Sequence, residues 1–402
     1  MEGTVGSSPD EATEGGSDDP DKFSNHSAYV LVLGDIGRSP RMCNHAVALA
    51  NVGFDVTLVG YDQGSNLQES VKNSTRIRVS PLSPYPSWMT RWLPRLPSLA
   101  FKVIWQVMTL ALALPLFRGP DFILMQNPPS IPTLAVAYFY AFFRSGTKLV
   151  LDWHNYGFSI LQLSFGQGLG HPLVRLARGI EAFFGPRVHA AFCVSKAMKR
   201  DLHDKWNIEA TVLYDRPLAF FRTSTLEEKH DLFTKMASMY PEALETTTSP
   251  ITDEDGRLKP QRPAILVSST SWTPDEDFGI LFEALSIYES RRSEVLSLPD
   301  LICVITGKGP LKEYYQKLIK DQNWAHIKVI MPWLEPDDYP RMLGSADLGV
   351  CLHTSSSGVD LPMKVSSATY FILLFFLPPS CIIFYIKLLY CVRALKYRSE
   401  LP

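Results

Sequence analysis

The sequence predicts an α/β protein with two parallel sheets that follow one another along the chain. Short apolar runs at residues 29–34 and 53–60 end in glycine and are separated by stretches in which apolar residues recur with helical spacing. Strands that alternate with helices in this way indicate a parallel sheet. A second series of the same kind begins at Ala264. With 402 residues, 46% of them hydrophobic, the chain is long and apolar enough for two cores.

The pattern divides the chain into five parts. We expect a solvated acidic tail at 1–27, a first Rossmann-like domain at 28–222, an irregular linker at 223–262, a second and partial Rossmann-like domain at 263–365, and an apolar tail at 366–402. Ligands of such sheets bind outside the carboxyl ends of the strands. The remaining predicted strands are 122–125, 148–151, 190–194, 264–268, 301–306, 327–330 and 347–352.

Charge and cysteine content exclude some classes of function. The net charge of −2 gives no electrostatic reason to expect nucleic-acid binding. The six cysteines are scattered and contain no C-x-x-C pair, so we expect buried free thiols in a reducing compartment rather than disulfides or a zinc site. The first 27 residues lack the apolar core of a signal peptide.

Residues 88–117 are the candidate membrane-associated segment. Residues 98–117 have about the length that spans a bilayer, but they contain Lys102, Gln106 and Pro115. Upstream, residues 88–95 mix tryptophan with arginine, which suits a helix in the headgroup layer. The alternative is a helix buried in the first domain, and the two interpretations are compatible.

Two motifs follow predicted strands of the first domain. The segment Gly-Asp-Ile-Gly-Arg-Ser-Pro-Arg at 34–41 opens a helix, so its glycines and arginines could hold an anionic group; a solvated turn is the alternative. The segment Leu-Asp-Trp-His-Asn-Tyr-Gly at 151–157 ends a strand and places His154 at the crevice. His154 is either a general base or a structural histidine.

Three motifs follow strands of the second domain. In residues 268–277, Thr273, Pro274 and Glu276 resemble a capping box, which we favour over an acidic metal site. The Thr-Gly-Lys-Gly-Pro turn at 306–310 could meet a diphosphate or be an ordinary turn. The segment His-Thr-Ser-Ser-Ser-Gly-Val-Asp-Leu-Pro-Met-Lys at 353–364 could bind a diphosphate through backbone N–H groups and a lysine.

Taken together, residues 29–365 resemble the chitobiosyldiphosphodolichol β-mannosyltransferase family, whose members share these motifs in this order. The resemblance implies a B-type glycosyltransferase fold with the acceptor in the first domain and GDP-mannose mainly in the second. It implies inverting transfer of mannose to dolichol-diphosphate-linked chitobiose, at the cytosolic face of the endoplasmic reticulum membrane. Other early-pathway glycosyltransferases are further candidate partners.

The resemblance and the placement of the motifs also suggest roles for individual residues. Inversion needs a base, for which we select His154 with Asp35 as the second choice. We expect no metal and no tightly bound cofactor, and leave open whether divalent cations stimulate the reaction. The expected acceptor-binding residues are Gly34, Gly37, Arg38, Ser39, Arg41, Asn155 and Tyr156. The expected donor-binding residues are Ser269, Ser271, Trp272, Gly307, Lys308, Gly309, His353, Ser355, Ser356, Ser357, Gly358, Asp360 and Lys364.

The chain departs from the family pattern after Val365. The tail lacks the alternation and punctuation of a βα unit. Residues 370–392 suggest an imperfect membrane span or hairpin interrupted by Pro378 and Pro379 and followed by basic residues. A translated intron or alternative last exon explains the break better than an evolved anchor. The alternative function is therefore an inactive membrane-bound form with a binding or regulatory role.

Overall fold

The chain folds into two compact units, Met1–Val212 and Leu213–Pro402. Each contains a parallel sheet with helices, so the predicted α/β class is confirmed. Residues 1–22 of the predicted tail at 1–27 lie outside the residues that the structure describes. The computed structural model describes residues 23–62, 67–86, 94–114, 119–144, 146–165, 168–215, 221–273, 276–295, 298–335, 337–352, 356–360 and 373–375.

Seven parallel strands form the first sheet, in the order β3-β2-β1-β4-β5-β6-β7. The strand order reverses direction between β1 and β4, and open α/β sheets bind ligands at the carboxyl ends of the strands at such a point. The strands are β1 (Ser27–Asp35), β2 (Asp55–Tyr61), β3 (Ile77–Pro81), β4 (Phe122–Asn127), β5 (Lys148–Trp153), β6 (Ala190–Cys193) and β7 (Ala210–Val212).

Helices of the first unit begin where the sequence supplies caps or proline. Pro40 is the first residue of its helix, and the Ser195 hydroxyl accepts the N–H of Met198 at another helix start. The helices are α1 (Pro40–Asn51), α2 (Glu69–Lys72), α3 (Arg95–Ala113), α4 (Thr133–Phe143), α5 (Gly157–Phe165), α6 (Pro172–Phe184) and α7 (Lys196–Trp206).

Helix α3 occupies most of the candidate membrane-associated segment. Leu110 and Leu114 are buried, whereas Phe101, Ile104 and Leu112 are exposed. The helix is therefore partly buried in the first unit and partly exposed, and its association with a membrane stays a prediction. Within the described residues, no helix is both long enough and apolar enough to cross a membrane.

Five parallel strands form the second sheet, in the order β10-β9-β8-β11-β12. The segment Leu373–Phe375, which the sequence places in an apolar tail without βα character, pairs in parallel with β11. The remainder of the tail lies outside the described residues. The strands are β8 (Ala264–Ser269), β9 (Leu301–Thr306), β10 (Ile327–Ile330), β11 (Leu348–Cys351) and β12 (Leu373–Phe375).

Two helices begin in the stretch 223–262, for which we predicted an irregular linker. Leu232, Phe233 and Met236 of the first of them belong to a buried cluster that also contains Ile265 and Val267 of β8. The prediction missed this helix layer because the helix is polar apart from one narrow buried face. The helices of the second unit are α8 (Leu226–Met239), α9 (Pro241–Leu244), α10 (Phe278–Glu294), α11 (Lys312–Lys320) and α12 (Asp338–Ser345).

The alternation of side chains along β8 places helices on both faces of the second sheet. Ala264 and Leu266 pack with residues of α10, whereas Ile265 and Val267 pack with residues of α8. Successive strand residues point to opposite faces, so a strand covered on both sides is apolar throughout.

The prediction that the cysteines are buried is confirmed for the part of the chain that the structure describes. Cys43, Cys193, Cys303 and Cys351 are buried and are not joined in disulfides. Burial raises the pKa of Cys43 to about 11 and that of Cys303 to about 12. Both side chains are therefore thiols at neutral pH and serve as small core residues.

Candidate active site

A fully buried carboxylate, Asp152, lies near the carboxyl end of β5 in the first unit. Arg41 of α1 donates to it twice, from Nε to Oδ2 at 2.7 Å and from Nη2 to Oδ1 at 2.9 Å. A buried charge is tolerated when it is paired and hydrogen-bonded, and the bidentate guanidinium supplies both. This ion pair ties the first turn of α1 to the strand end that precedes His154.

Two histidines share one oxygen of this carboxylate. Nε2 of His45 and Nε2 of His154 each lie 3.0 Å from Oδ2 of Asp152. Their side chains are 14% and 16% exposed, so both are reached by solvent at the rim of the buried carboxylate. The His45 ring also stacks on Phe192 of β6.

The charge state of Asp152 determines the tautomers of both rings. Burial alone would raise the pKa of Asp152, but the charge and hydrogen bond of His154 oppose that effect. Hydrogen bonds from His45 and Arg41 act in the same direction, and the pKa lies well below its usual range. Because an ionised carboxylate only accepts, we assign the proton of each neutral ring to Nε2, which leaves Nδ1 as a base.

Arg41 is not placed as we predicted. We expected it to face the acceptor diphosphate, but its side chain is only 6% exposed and is committed to Asp152. Asp152 and His45 were not predicted as site residues. The spacing of Arg41 and His45, four residues apart on one helix face, is the sequence signal that could have found them.

The turn at residues 34–39 is held by its own hydrogen bonds. The Asp35 carboxylate accepts the N–H of Gly37 at 3.2 Å, and the Ser39 hydroxyl donates to the Asp35 carbonyl at 3.3 Å. Arg38 lies 3.5 Å from the Asp35 carboxylate, with its side chain 81% exposed. Arg38 is therefore accessible to an anion, whereas Asp35 is mostly buried. Gly34 ends the apolar run just before this turn.

Hydrogen bonds and packing inside the first unit fix the loop after His154. Asn155 accepts the N–H of Tyr156 through Oδ1 at 2.7 Å. Tyr156 is fully buried, and its hydroxyl donates to Asp201 of α7 at 2.5 Å. Our prediction that Tyr156 binds the acceptor is wrong, because its ring packs against Trp153 inside the unit. Tyr156 positions the loop instead.

A second buried acid, Glu181 of α6, fixes the start of α5. Its Oε1 accepts from Asn127 Nδ2 at 2.9 Å and from the N–H of Gly157 at 2.7 Å. A Cβ on Gly157 would lie 2.7 Å from Ser130 Oγ and 3.0 Å from Glu181 Oε1, so a larger residue would displace these side chains. Burial raises the pKa of Glu181 to about 7, against the lowering effect of its hydrogen bonds. Glu181 holds the loop that carries His154, and the sequence analysis did not find it.

In the second unit, the glycines of the Thr-Gly-Lys-Gly-Pro turn allow two loops to pack backbone to backbone. A Cβ on Gly307 would lie 1.8 Å from the Thr270 carbonyl oxygen, and one on Gly309 would lie 1.7 Å from the Ser271 carbonyl oxygen. Gly307 also has a φ of +149°. These glycines are thus required by the fold whether or not a diphosphate binds.

The loop after β8 differs from the predicted capping box. Helix α10 begins at Phe278, with the Asp277 carboxylate accepting the N–H of Gly279, so the prediction that Thr273 caps this helix is wrong. Pro274 lies outside the described residues. Glu276 instead accepts from the Thr270 hydroxyl at 2.5 Å and from the Ser271 N–H at 2.9 Å. Asp277 is therefore the residue that caps this helix.

Trp272 lies inside the second unit. We expected it to bind the donor, but its side chain is fully buried and packs on Phe278 and Tyr315. Its backbone has a φ of +50° and accepts the N–H of Leu311 at 3.1 Å, which links the two loops. Trp272 therefore supports the loop shape and does not face a ligand.

An exposed lysine lies at the carboxyl end of β9. Nζ of Lys308 lies 3.8 Å from the ring centroid of Trp333, which follows β10 and is half exposed. Lys312, one turn further along, donates to the Met331 carbonyl at 3.1 Å. Burial lowers the pKa of Lys312, and the charge of Lys308 adds to the effect. Two cations and an aromatic ring thus share one sheet edge.

The loop after β11 is described only in part. The Ser357 hydroxyl donates to Asp360 at 3.1 Å, and Gly358 has a φ of +73°. Ser356 lies in the same short turn, whereas His353, Ser355 and Lys364 lie outside the described residues. Ser269 contacts the Tyr339 hydroxyl at 3.1 Å. Among the described residues, no group of three or more acidic, histidine or cysteine side chains is arranged to hold a metal.

Solved structures with the same arrangement of strands and helices define the class of the protein. Sucrose-phosphate synthase from Thermosynechococcus elongatus aligns with a TM-score of 0.53, at 12% identity over 80% of this chain and 74% of that one. The catalytic domain of starch synthase IV from Arabidopsis thaliana aligns with a TM-score of 0.52, at 10% identity over 87% of this chain and 82% of that one. The fold is that of the B-type glycosyltransferases.

Sequence comparisons identify the family. Residues 37–213 match the glycosyl transferase 4-like domain. Chitobiosyldiphosphodolichol beta-mannosyltransferase of Homo sapiens is 48% identical, over 84% of this chain and 74% of the relative. The UDP-glycosyltransferase TURAN of Arabidopsis thaliana is 41% identical, over 84% of this chain and 79% of the relative. The chain belongs to the chitobiosyldiphosphodolichol beta-mannosyltransferase family of glycosyltransferases.

Proposed function

We propose that this chain is an inverting β-1,4-mannosyltransferase that moves mannose from GDP-mannose to dolichol-diphosphate-linked chitobiose. The names of the relatives describe this acceptor and a β-mannosyl product. The observation that supports the chemistry most directly is the pair formed by His154 and the buried, ionised Asp152, 3.0 Å apart. A histidine oriented by a carboxylate is the usual arrangement for proton abstraction from a hydroxyl.

In this mechanism Nδ1 of His154 takes the proton of the acceptor hydroxyl. The hydroxyl oxygen attacks the anomeric carbon of mannose, the bond from that carbon to the diphosphate oxygen breaks, and GDP leaves with the bonding electrons. Attack opposite the leaving group converts the α-linked donor into a β-linked product. Asp152 stays ionised because His154, His45 and Arg41 all favour its charged form, and it stabilises the imidazolium that His154 becomes.

The negative charge that develops on the departing GDP needs cations or backbone dipoles. Lys308 is exposed at the carboxyl end of β9 and is our main candidate, with the N–H groups of the turn at Ser356–357 as further donors. Ser269, Ser271, Gly307 and Gly309 then shape the loops around the donor. We propose that the reaction needs no tightly bound cofactor, because lysine and backbone N–H groups supply the charge stabilisation that a metal would otherwise provide.

We further propose that the chain acts at the cytosolic face of the endoplasmic reticulum membrane. The name of the relatives specifies a dolichol-linked substrate, which resides in a membrane. Large apolar side chains of α3 and α4 are exposed in the first unit, among them Phe101, Leu112 and Phe143. Surfaces of this kind mark interaction sites with protein or lipid.

The test is mannose transfer from labelled GDP-mannose to a chitobiosyl diphosphate phytanyl acceptor. We expect His154→Gln to lower kcat by about 10²- to 10⁴-fold, the usual contribution of a general base. The KM for GDP-mannose should stay within about twofold. His45→Gln is the matched control, since it removes the other imidazole on the same carboxylate. An equal loss in both variants would contradict the assignment of His154 as the base, and transfer from a UDP-sugar instead of GDP-mannose would contradict the proposed donor.

A further inference from the structure

A basic cavity of about 430 Å³ lies at the amino-terminal edge of the first sheet. Its lining includes Arg144, Lys148, Arg187 and His189, and no acidic residue is among the described residues that form it. Lys148 and His189 lie at or next to the starts of β5 and β6, whereas Asp152 and His154 lie at the opposite strand ends. Strand β5 has six residues, so the two sites are separated by roughly 20 Å. This cavity is therefore distinct from the candidate active site.

Two of the hydrogen-bond donors that line the cavity, His189 and Arg187, are held in place by local contacts. The His189 ring accepts the N–H of Leu149 through Nδ1 at 3.0 Å, while the His189 N–H donates to the Leu149 carbonyl at 2.9 Å. The ring proton is consequently on Nε2, where it can be donated. The Arg187 guanidinium lies 3.9 Å from the centre of the Phe183 ring and donates to the Phe183 carbonyl. Such fixed donors suit an anion with several acceptor oxygens.

Exposed phenylalanines lie on the two helices beside this basic cavity, and one of them lines it. Phe142 and Phe143 at the end of α4 are 68% and 77% exposed, and Phe139 and Phe183 are each about half exposed. Phe142 lines the cavity, and α4 packs against α6, which carries Phe183. A soluble phosphorylated metabolite would be bound by the cations alone, and the exposed phenylalanines would have no part in binding it. Aromatic side chains beside arginine and lysine are typical of surfaces that rest in the headgroup layer of a membrane.

We propose that this cavity binds the phosphate of an anionic phospholipid headgroup while the neighbouring phenylalanines enter the acyl region, so that the first unit docks on an anionic membrane surface. The ligand is neither donor nor acceptor of the proposed reaction. Arg144, Lys148 and Arg187 face the phosphate, and the His189 Nε2–H adds a hydrogen bond. Each cation near an anionic surface strengthens partitioning by about fivefold, so the loss of three predicts a fall of about 100-fold.

The experiment measures flotation of the full chain with vesicles of phosphatidylcholine containing 30 mol% phosphatidylglycerol (about one anionic lipid in three) and with pure phosphatidylcholine vesicles. The test variant is Arg144→Gln/Lys148→Gln/Arg187→Gln. The matched control, Lys72→Gln/Arg78→Gln/Arg200→Gln, removes the same charges from exposed positions elsewhere in the first unit. A second variant, Phe142→Ser/Phe143→Ser, keeps the cations and removes two exposed rings. Thermal melting establishes that each variant folds.

We expect the triple cavity variant to lose about 100-fold in partitioning onto anionic vesicles, the control to change by less than twofold, and the phenylalanine variant to lose binding as well. Equal losses in the cavity variant and the control would overturn the proposal in favour of diffuse electrostatics. A third arm measures binding of inorganic phosphate by calorimetry. Millimolar phosphate binding that the cavity variant loses, together with unchanged vesicle binding, would overturn the lipid assignment in favour of a free-phosphate site.

Discussion

The buried acid Glu181 makes the stability of the first unit depend on pH, and Glu181→Gln removes that dependence. Burial raises its pKa from an ordinary 4.5 to about 7. The folded protein therefore binds the proton more tightly than the unfolded chain does. The stability that Glu181 contributes is fully present below pH 4.5 and is lost as the pH rises through 7.

The size of the effect follows from the two pKa values. With 4.5 for the unfolded chain and about 7 for the folded state, the free energy of unfolding falls by about 2.5 kcal/mol between pH 5 and pH 8 through this residue alone. Glutamine cannot ionise, yet its side-chain oxygen can still accept from Asn127 and from the N–H of Gly157. Glu181→Gln should therefore gain about 2.5 kcal/mol relative to the wild type over this range.

Thermal unfolding of wild type and Glu181→Gln is measured at pH 5 and at pH 8. The quantity of interest is how much the difference between the two proteins changes with pH, because the titration of other groups affects both proteins equally. For a unit of about this size, 2.5 kcal/mol corresponds to a relative shift in Tm of roughly 5 to 10 °C. A difference in Tm between variant and wild type that is the same at both pH values would contradict this prediction, because it would mean that Glu181 does not change protonation on folding in this range.

Three further substitutions test contacts described above. Arg41→Met should lower the free energy of unfolding by about 3 to 5 kcal/mol in urea titrations, because it removes the guanidinium that neutralises the buried Asp152 charge. Gly309→Ala should cost about 2 to 3 kcal/mol in the same assay, because its Cβ would lie 1.7 Å from the Ser271 carbonyl oxygen. Lys308→Ala should weaken GDP binding by about 10- to 100-fold in calorimetry, because a charged hydrogen bond to the diphosphate is lost.

Each of these substitutions has a matched control. Arg38→Met removes a guanidinium that is 81% exposed and should change stability by less than about 0.5 kcal/mol. Gly146→Ala places a Cβ in open space. Lys317→Ala removes an exposed charge from α11, further along the helix that follows Lys308. If any test variant behaves like its control, the contact assigned to it is wrong.

The site residues whose observed contacts differ from the predicted ones do so for one physical reason. Arg41 and Tyr156 stand in motifs that suggest ligand contacts, but one pairs with a carboxylate 111 residues away and the other donates to Asp201. Gly307 and Gly309 suggest a phosphate-binding turn, yet their backbones meet another loop. A motif shows that a residue type is needed at a position. Whether the need comes from a ligand or from a neighbouring segment depends on contacts that local sequence does not contain.

Local sequence pattern was enough to predict the α/β class, most of the strands, the buried cysteines, the family and the position of His154 at a strand end, because these depend on periodicity and motifs within short segments. The three-dimensional contacts were needed to find that Asp152 orients His45 and His154, that Glu181 fixes the loop after His154, and that Lys308 lies over Trp333. The order of strands in each sheet brings these distant residues together, and that order follows from the packing of helices on both faces of the sheet rather than from any one segment.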